Sequence, residues 1–357
     1  MNALPAPPAF LSLPAARGAR LRVGFVTPRE TCGESWLTQI QPAVALQRVG
    51  LTFSLCRVAQ HTAAQLALHA AAASAASAHA TLAAAVRAEW LREHAINLQL
   101  AWPRLLRQPE EPALVRALIA AAADACTAPR TWTHLLEQNL LGMPATDFVH
   151  LDMAGLRAWC DKAATPLAAR FAAARRATPA LTPQPMLAQL STWTQADAHA
   201  LAARMRSDAG FSQRPHWDGV VSESGAGARQ FAHPLLAAWR GQSGNDAGMR
   251  MLARLLELAL AATDELPAVS MRAWKLHAGE AMAAVDTARG PLLHWLRIRA
   301  GQVVAYHILA PTEWNFRGGG VLEQALTRCG GPDDAQARAW VLALDPCAEC
   351  RVERSDA

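Results

Sequence analysis

The sequence lacks the long apolar run that a membrane-spanning helix requires. A bilayer span needs about eighteen or more consecutive apolar residues, and no segment of this 357-residue chain reaches that length without polar interruptions. The nearest candidate, 69–86, contains histidines, serines and a threonine. Residues 1–20 are rich in alanine and proline, but they have neither the charged start nor the apolar core of a signal peptide. We therefore expect a cytoplasmic protein without a membrane partner.

The sequence also lacks a regular cysteine framework and a basic block. Seven cysteines, an odd number without regular spacing, predict reduced thiols rather than a set of structural disulfides. The net charge is +5, but the arginines are scattered along the chain. Aromatic and basic residues do not alternate as they do in nucleic-acid-binding proteins. We therefore expect no nucleic-acid partner.

Alanine and other hydrophobic residues are abundant. Hydrophobic residues make up 52% of the chain, which is enough for a substantial core. Because the surplus is mostly alanine, helix is favoured over strand, and the sequence predicts a mostly helical α+β fold. No shift in composition marks a second domain. We therefore predict a flexible N-terminal tail over 1–20 and a single domain over 21–357.

Only a few segments have the pattern of strands. Short strands are predicted at 21–26 and 51–55, and a β-hairpin with a glycine-containing turn is predicted at 292–298 and 303–309. A loop is predicted at 311–320. The predicted helical segments are 58–82, 86–106, 112–126, 131–141, 153–176, most of 228–288, 321–328 and 332–344.

Cys56 lies where a predicted strand ends and a predicted helix begins. A thiol near the positive end of a helix has a lowered pKa, which favours thiolate chemistry. The alternative is a buried structural cysteine, since free cysteine often packs as a small apolar residue.

Cys347 and Cys350 lie three residues apart, just after the last predicted helix. Thiols at this spacing can bind one metal ion or form a redox disulfide, and both alternatives remain open. A structural zinc site normally needs four protein ligands, and there is no second such pair. A thioredoxin-like motif needs a following helix, and only seven residues follow. The histidines form no ligand cluster, and the remaining cysteines are expected to be core thiols: Cys32, Cys126, Cys160 and Cys329.

Five segments resemble, in the right order, the large subunit of [NiFe] hydrogenases. They are LCRVAQ at 55–60, ESGAGAR at 223–229, TARG at 287–290, APTEWNF at 310–316 and DPCAEC at 345–350. Each segment alone is weak, but five in order are more specific. The resemblance implies a fold with a central helix bundle and small peripheral β-hairpins. It also implies a site where cysteines from both ends of the chain meet.

The chain departs from that family at the metal ligands. The hydrogenase site uses two cysteines from each end of the chain, and the second of each pair bridges nickel and iron. Cys56, Cys347 and Cys350 match three of these positions, whereas Phe53 replaces one nickel ligand. Gly18 stands where the family has a glutamate. The resemblance therefore implies no nickel and no hydrogenase activity.

This pattern resembles the HupK (HoxV) family of hydrogenase expression/formation proteins, which are large-subunit relatives associated with assembly of the metal centre. The segments 91–94, 101–106 and 141–144 also fit that family. The resemblance implies a non-catalytic scaffold or chaperone that holds or relays the Fe(CN)2(CO) fragment transiently. The implied partners are Hyp-type maturation proteins, including the small hydrogenase chaperone, with the hydrogenase large subunit as a further candidate.

The resemblance also implies a ligand set. Cys56 and Cys350 would bind the iron fragment through soft thiolates, and Cys347 would be an auxiliary or transfer ligand. Arg289 and Thr312 match the residues that donate hydrogen bonds to the cyanides. The alternatives are an ion-paired or surface arginine and a turn-forming threonine. The rival functions are a thiol redox or zinc-binding protein that retains the fold, and an active hydrogenase large subunit.

Overall fold

The computed structural model describes residues 10–14, 20–25, 35–73, 79–125, 128–177, 188–189, 193–208, 210–217 and 219–355. Gly18, Cys32 and Cys126 lie outside these residues.

Most of the described chain is helical. Several helices begin with proline, which lacks an N–H group and has a backbone angle suited to the first helical turn. The helices are α1 (Pro42–Thr52), α2 (Arg57–Ala71), α3 (His79–Ile96), α4 (Trp102–Leu106), α5 (Pro112–Ala123), α6 (Pro129–Leu136), α7 (Ala145–Val149), α8 (Met153–Lys162), α9 (Pro166–Ala177), α10 (Gln195–Ser207), α11 (Ala226–Arg229), α12 (Pro234–Ser243), α13 (Ala247–Ala262), α14 (Pro311–Phe316), α15 (Val321–Arg328) and α16 (Asp334–Leu344). π-helical turns at Asn97–Ala101 and Glu137–Leu141 extend α3 and α6.

The helix α13 is the centre of the bundle. Every residue from Ala247 to Leu260 is buried, and the helix packs against α3, α6, α7, α9, α11, α12 and α16. The Asp246 carboxylate accepts a hydrogen bond of 2.8 Å from the Met249 N–H, which satisfies one of the free donors at the helix start. The structure therefore confirms the predicted mostly helical α+β fold with a central helix bundle.

A four-stranded antiparallel sheet packs against α2. Its strands, in order, are β5 (Met271–His277), β6 (Glu280–Thr287), β7 (Gly290–Arg299) and β8 (Gln302–Leu309). The predicted hairpin is confirmed as β7 and β8. The prediction of helix for most of 228–288 is wrong at β5 and β6. Alanines at 281, 283 and 284 favour helix in isolation, but here they are buried in the sheet, because tertiary contacts override local propensity.

A second sheet joins the two ends of the chain. Its order is β1 (Phe10–Pro14), β2 (Arg20–Phe25) and β9 (Cys350–Ser355), with antiparallel pairing throughout. Residues 10–14, which belong to the predicted tail, therefore form a paired strand. Phe25 lies opposite Cys350 in the register. The remaining strands, β3 (Ala188–Gln189) and β4 (Ser222–Glu223), form a short parallel pair.

Three other predictions differ from the structure. Residues 51 and 52, predicted as strand, end α1, since short apolar runs do not distinguish strand from helix. The predicted loop 311–320 begins with α14, and the predicted helix 153–176 is divided into α8 and α9. The helix predicted at 321–328 is confirmed as α15. Within the described ranges, no helix is both long enough and apolar enough to span a bilayer.

Candidate metal centre

The thiol of Cys56 lies beside the thiol of Cys347, close enough for Cys347 to shift the pKa of Cys56. Cys56 precedes the first turn of α2. Cys347 lies shortly after α16. Asp345, the residue that caps the end of this helix, has a left-handed backbone conformation with φ of 53°. The Thr312 hydroxyl holds Cys347 in place: it donates to Cys347 Sγ at 3.3 Å and accepts from the Cys347 N–H at 3.2 Å. Three distant parts of the chain thus converge on one pair of thiols.

The pKa of the Cys56 thiol is raised well above its ordinary value. The neighbouring thiol of Cys347 is the largest cause, followed by burial, while Arg289 and Gln60 oppose the shift. The expectation of a lowered pKa at a helix start is therefore wrong. The carboxylate of Glu89 explains part of this result, because it accepts the N–H groups of Val58 and Ala59 at 2.7 and 2.9 Å. The positive end of α2 is thus already paired with an anion.

Arg289 is a buried, ion-paired arginine beside both thiols. Its guanidinium lies 3.1 Å from the Glu93 carboxylate and 3.2 Å from the Asp345 carboxylate, and it donates to the Asp345 carbonyl at 2.9 Å. Burial alone would lower the pKa of Arg289, but the charges of Asp345, Glu93 and the two cysteines raise it. A permanent positive charge is therefore fixed next to the thiol pair.

The segment around Ser224 holds the Arg289 turn and α14 together. The Ser224 hydroxyl lies 3.0 Å from the Arg289 carbonyl and 2.8 Å from the Pro311 carbonyl. The Asn315 side chain exchanges two 3.0 Å hydrogen bonds with the backbone of Ser224, which fixes α14 against this segment. Gly290 has φ of 114°, and a Cβ there would lie 2.7 Å from Ser224 Cβ. Only glycine fits this contact.

A buried carboxylate, Glu257, lies on α13 and joins it to α3 and α11. It is fully buried and forms two 2.9 Å ion-pair contacts with Arg229, and it also contacts His94 at 2.7 Å and Trp90 at 2.8 Å. Burial would raise the pKa of Glu257, but the charge of Arg229 and the hydrogen bond with His94 lower it. The sequence analysis missed this residue. The available signal was a glutamate inside a long, mostly apolar helix, which must be paired if it is buried.

Cys350 does not take part in the contact between Cys56 and Cys347. It begins β9, and burial raises the pKa of its thiol to about 12, although the Gly24 backbone opposes the shift. It lines a cavity of ≈ 850 Å³ together with Arg104 and Arg338. The structure thus brings Cys347 against Cys56, whereas the sequence analysis paired Cys56 with Cys350.

The other cysteines and the histidines that the structure describes do not extend the site into a metal cluster. Cys160 and Cys329 pack into or against the main apolar core, which confirms the prediction of core thiols for these two. Within the described ranges, no group of three or more His, Cys, Asp or Glu residues is placed to hold a metal ion.

His294 and His307 lie on the two strands of the hairpin but do not face each other. His294 pairs with Ile308 and His307 with Trp295 in the register, so the two rings lie on opposite faces of the sheet. His294 instead contacts Gln60 Oε1 and the Tyr306 hydroxyl, each at 2.8 Å.

No protein-family model matches the chain. It is 30% identical over 337 residues to the hydrogenase expression/formation protein HoxV of Cupriavidus necator, an alignment that covers 84% of this chain and 85% of HoxV. The chain belongs to this family of hydrogenase expression/formation proteins. HupK of Rhizobium leguminosarum bv. viciae is 29% identical over 356 residues, and HupV of Azotobacter chroococcum is 31% identical over 321 residues. These alignments cover 89% and 87% of the chain and 88% and 87% of the relatives.

The fold of this HoxV/HupK-family protein is that of the [NiFe] hydrogenase large subunit. A solved NAD+-reducing [NiFe]-hydrogenase superimposes with a TM-score of 0.52 at 15% identity, over 95% of this chain and 98% of that chain. At this identity the likeness concerns the fold alone.

Proposed function

We propose that this HoxV/HupK-family protein is a non-catalytic maturation scaffold. It holds or relays the Fe(CN)2(CO) fragment while the active site of a [NiFe] hydrogenase is assembled. Family membership supports the role in maturation. The observation that carries the proposal is the contact between Cys56 and Cys347, two thiols from opposite ends of the chain, beside the buried charge of Arg289.

The donor set fits such a cargo. Soft thiolates suit an iron that carries cyanide and carbon monoxide, and an iron with three small ligands of its own needs fewer from the protein. Cyanide is an anionic acceptor, so it is stabilised by the permanent charge of Arg289. The Thr312 hydroxyl, whose single hydrogen goes to Cys347 Sγ in this structure, would have to turn away from the sulfur to donate to a cyanide. We assign Cys56 and Cys347 the holding role. Cys350, at the wall of the ≈ 850 Å³ cavity, has the auxiliary or transfer role.

Loading of the fragment releases protons from the thiols. A thiol binds metal as the thiolate, so its proton must leave. The raised pKa of Cys56 means that the empty site keeps this proton at neutral pH. Arg289 then stabilises the thiolates that loading creates, because its charge lies beside both sulfur atoms.

Partners and the absence of nickel follow from the same proposal. Phe53 stands where a nickel ligand would be, so the cargo is iron without nickel. Hyp-type maturation proteins, including the small hydrogenase chaperone, would supply the fragment, and the hydrogenase large subunit would receive it. All steps would occur in the cytoplasm, without a nucleic acid or membrane partner.

The contact between Cys56 and Cys347 also favours a second candidate, a redox disulfide between these thiols. Oxidant titration with mass mapping of the pair tests it. Reversible closure at a potential near that of the cytosolic thiol pool would favour the redox function. A scaffold requires both thiols reduced when iron is bound.

Infrared spectroscopy tests the proposed function. The protein is purified without oxygen from cells that express the maturation machinery, and the region of metal-bound cyanide and carbon monoxide stretches is recorded. We expect bands in the wild type and in Cys329→Ala, the matched loss of a thiol outside the site. The bands should disappear in Cys56→Ala and Cys347→Ala. A wild type without bands after co-purified chaperones are removed, or unchanged bands in Cys56→Ala, would contradict the proposal.

A further inference from the structure

A continuous chain of hydrogen bonds leads from the sheet to Cys56. The Tyr306 hydroxyl lies 2.8 Å from His294 Nδ1, and His294 Nε2 lies 2.8 Å from Gln60 Oε1. Gln60 Nε2 in turn donates to Cys56 Sγ at 3.7 Å. The side chains of Gln60, His294 and Tyr306 are 2%, 0% and 1% exposed. Water therefore does not compete for these bonds.

The partners fix the direction of every bond in this chain. Gln60 Oε1 can only accept, so His294 Nε2 carries the hydrogen, and the Nδ1 atom of the neutral ring accepts from the Tyr306 hydroxyl. The amide nitrogen of Gln60 is then left to face Cys56, where it can only donate. The flipped amide would place an oxygen against the sulfur and leave the Tyr306 hydrogen without an acceptor among the described residues. A buried donor without an acceptor costs free energy, so that arrangement is strongly disfavoured.

We propose that Gln60 is a positioning residue for metal binding at Cys56. Its amide, oriented by His294 and Tyr306, donates to the Cys56 sulfur and fixes the direction in which that sulfur presents its remaining lone pairs to a soft metal cargo. The cargo's identity rests on the proposed function, but the hydrogen-bond chain does not. Burial lowers the pKa of His294 to about 3, so the ring stays neutral and the chain keeps its direction across the physiological pH range.

Removal of the amide donor has a spectroscopic signature that a purely structural role does not produce. An N–H···S hydrogen bond withdraws electron density from the sulfur. Without it, the thiolate donates more density to iron, and iron passes more density to carbon monoxide. The carbon monoxide stretch of the loaded protein should therefore move to lower wavenumber in Gln60→Leu and Gln60→Glu. Gln60→His, which can restore a donor, should move it back toward the wild-type position.

Gln65 offers a matched control. It lies on the same helix, five residues further along, and is half-buried. Gln65→Leu removes the same functional group from α2 and should leave the carbon monoxide stretch unchanged. Equal shifts in Gln60→Leu and Gln65→Leu would overturn the inference.

Nuclear magnetic resonance tests the hydrogen-bond chain in the purified full-length protein without any iron. With 15N-labelled histidine and glutamine, we expect His294 with its hydrogen on Nε2. We also expect the Gln60 amide signals to move in Cys56→Ala while the Gln65 signals stay in place. In Tyr306→Phe, which lacks the hydroxyl donor, His294 should populate both neutral tautomers instead of only the Nε2–H tautomer. A His294 hydrogen on Nδ1, or Gln60 signals that do not respond to Cys56→Ala, would overturn the inference even if the infrared bands are present. Conversely, missing infrared bands would contradict the proposed function and leave this result intact.

Discussion

The carboxylate of Glu257 should contribute more to stability than any surface charge, and Glu257→Gln tests this. The carboxylate accepts two hydrogen bonds from Arg229 and contacts His94 and Trp90, all inside the core. Glutamine keeps the shape of the side chain but offers one acceptor oxygen in place of two. Its amide N–H group points toward other donors. Because the amide is neutral, Arg229 also loses its compensating charge.

The expected cost is about 3 kcal/mol at pH 7. Removal of one partner from a buried ion pair typically costs about 3–5 kcal/mol, and we take the lower end because the Arg229 side chain is 13% exposed. The pKa of Glu257 is lowered in the folded protein, so its contribution is complete above the ordinary glutamate value of 4.5 and is lost as the pH falls toward the folded value. The difference between wild type and Glu257→Gln should therefore shrink below pH 4.5.

Urea unfolding at equilibrium measures this prediction, with the midpoint and slope compared at pH 7 and near pH 4. Glu265→Gln, a substitution of the same kind at an exposed position just after α13, is the control and should change stability by less than about 0.5 kcal/mol. A loss below about 1 kcal/mol in Glu257→Gln at pH 7, or a loss that grows as the pH falls, would contradict the stabilising role of the Glu257 carboxylate.

Three further substitutions test other parts of the structure. Burial raises the pKa of Asp286 from 3.8 to about 6, so Asp286 destabilises the fold progressively as the pH rises from about 4 to 6, and fully above pH 6. Asp286→Asn should be more stable than wild type by about 2–3 kcal/mol at pH 7.5 and equal to it below pH 4, measured by thermal unfolding. Gly290→Ala should lower the melting temperature by several degrees through its positive φ and its contact with Ser224, whereas Gly301→Ala, with positive φ but open space, should cost less. Thr312→Val should reduce the iron content of purified protein several-fold, measured by elemental analysis, because Cys347 loses both bonds that hold it; unchanged iron content would contradict the assigned role.

Sequence reasoning located the residues of the candidate centre but not their pairing. Cys56 was expected at a helix start and lies there, because the alanine-rich run after it has a high helix propensity. Its pKa was predicted with the wrong sign, since the carboxylate of Glu89 and the thiol of Cys347 come from distant parts of the chain. Spacing also could not show that Cys347 lies in a turn while Cys350 starts a strand.

The sheet shows a similar limit. The hairpin β7–β8 combines β-branched and aromatic residues with a glycine-containing turn, so its strands could be predicted from the sequence. The neighbouring strand β6 contains alanines and Met282, which are buried either on the face of the sheet that packs against α2 or on the other face. Nothing in its local pattern distinguishes it from a helix. Glu93 and Asp345, which hold Arg289, were likewise hidden, because only the folded chain brings α3, α16 and the β6–β7 turn together.

Transfer of labelled cargo tests whether this protein passes the iron fragment to the hydrogenase large subunit. Protein loaded with 13C-cyanide is mixed with hydrogenase large subunit that lacks its iron fragment, and the two are separated before infrared spectra are recorded. We expect the isotope-shifted cyanide bands to leave this protein and to be found on the large subunit, and we expect Cys347→Ala, which should not load, to transfer none. A large subunit without labelled bands, while the label stays on this protein, would contradict this expectation.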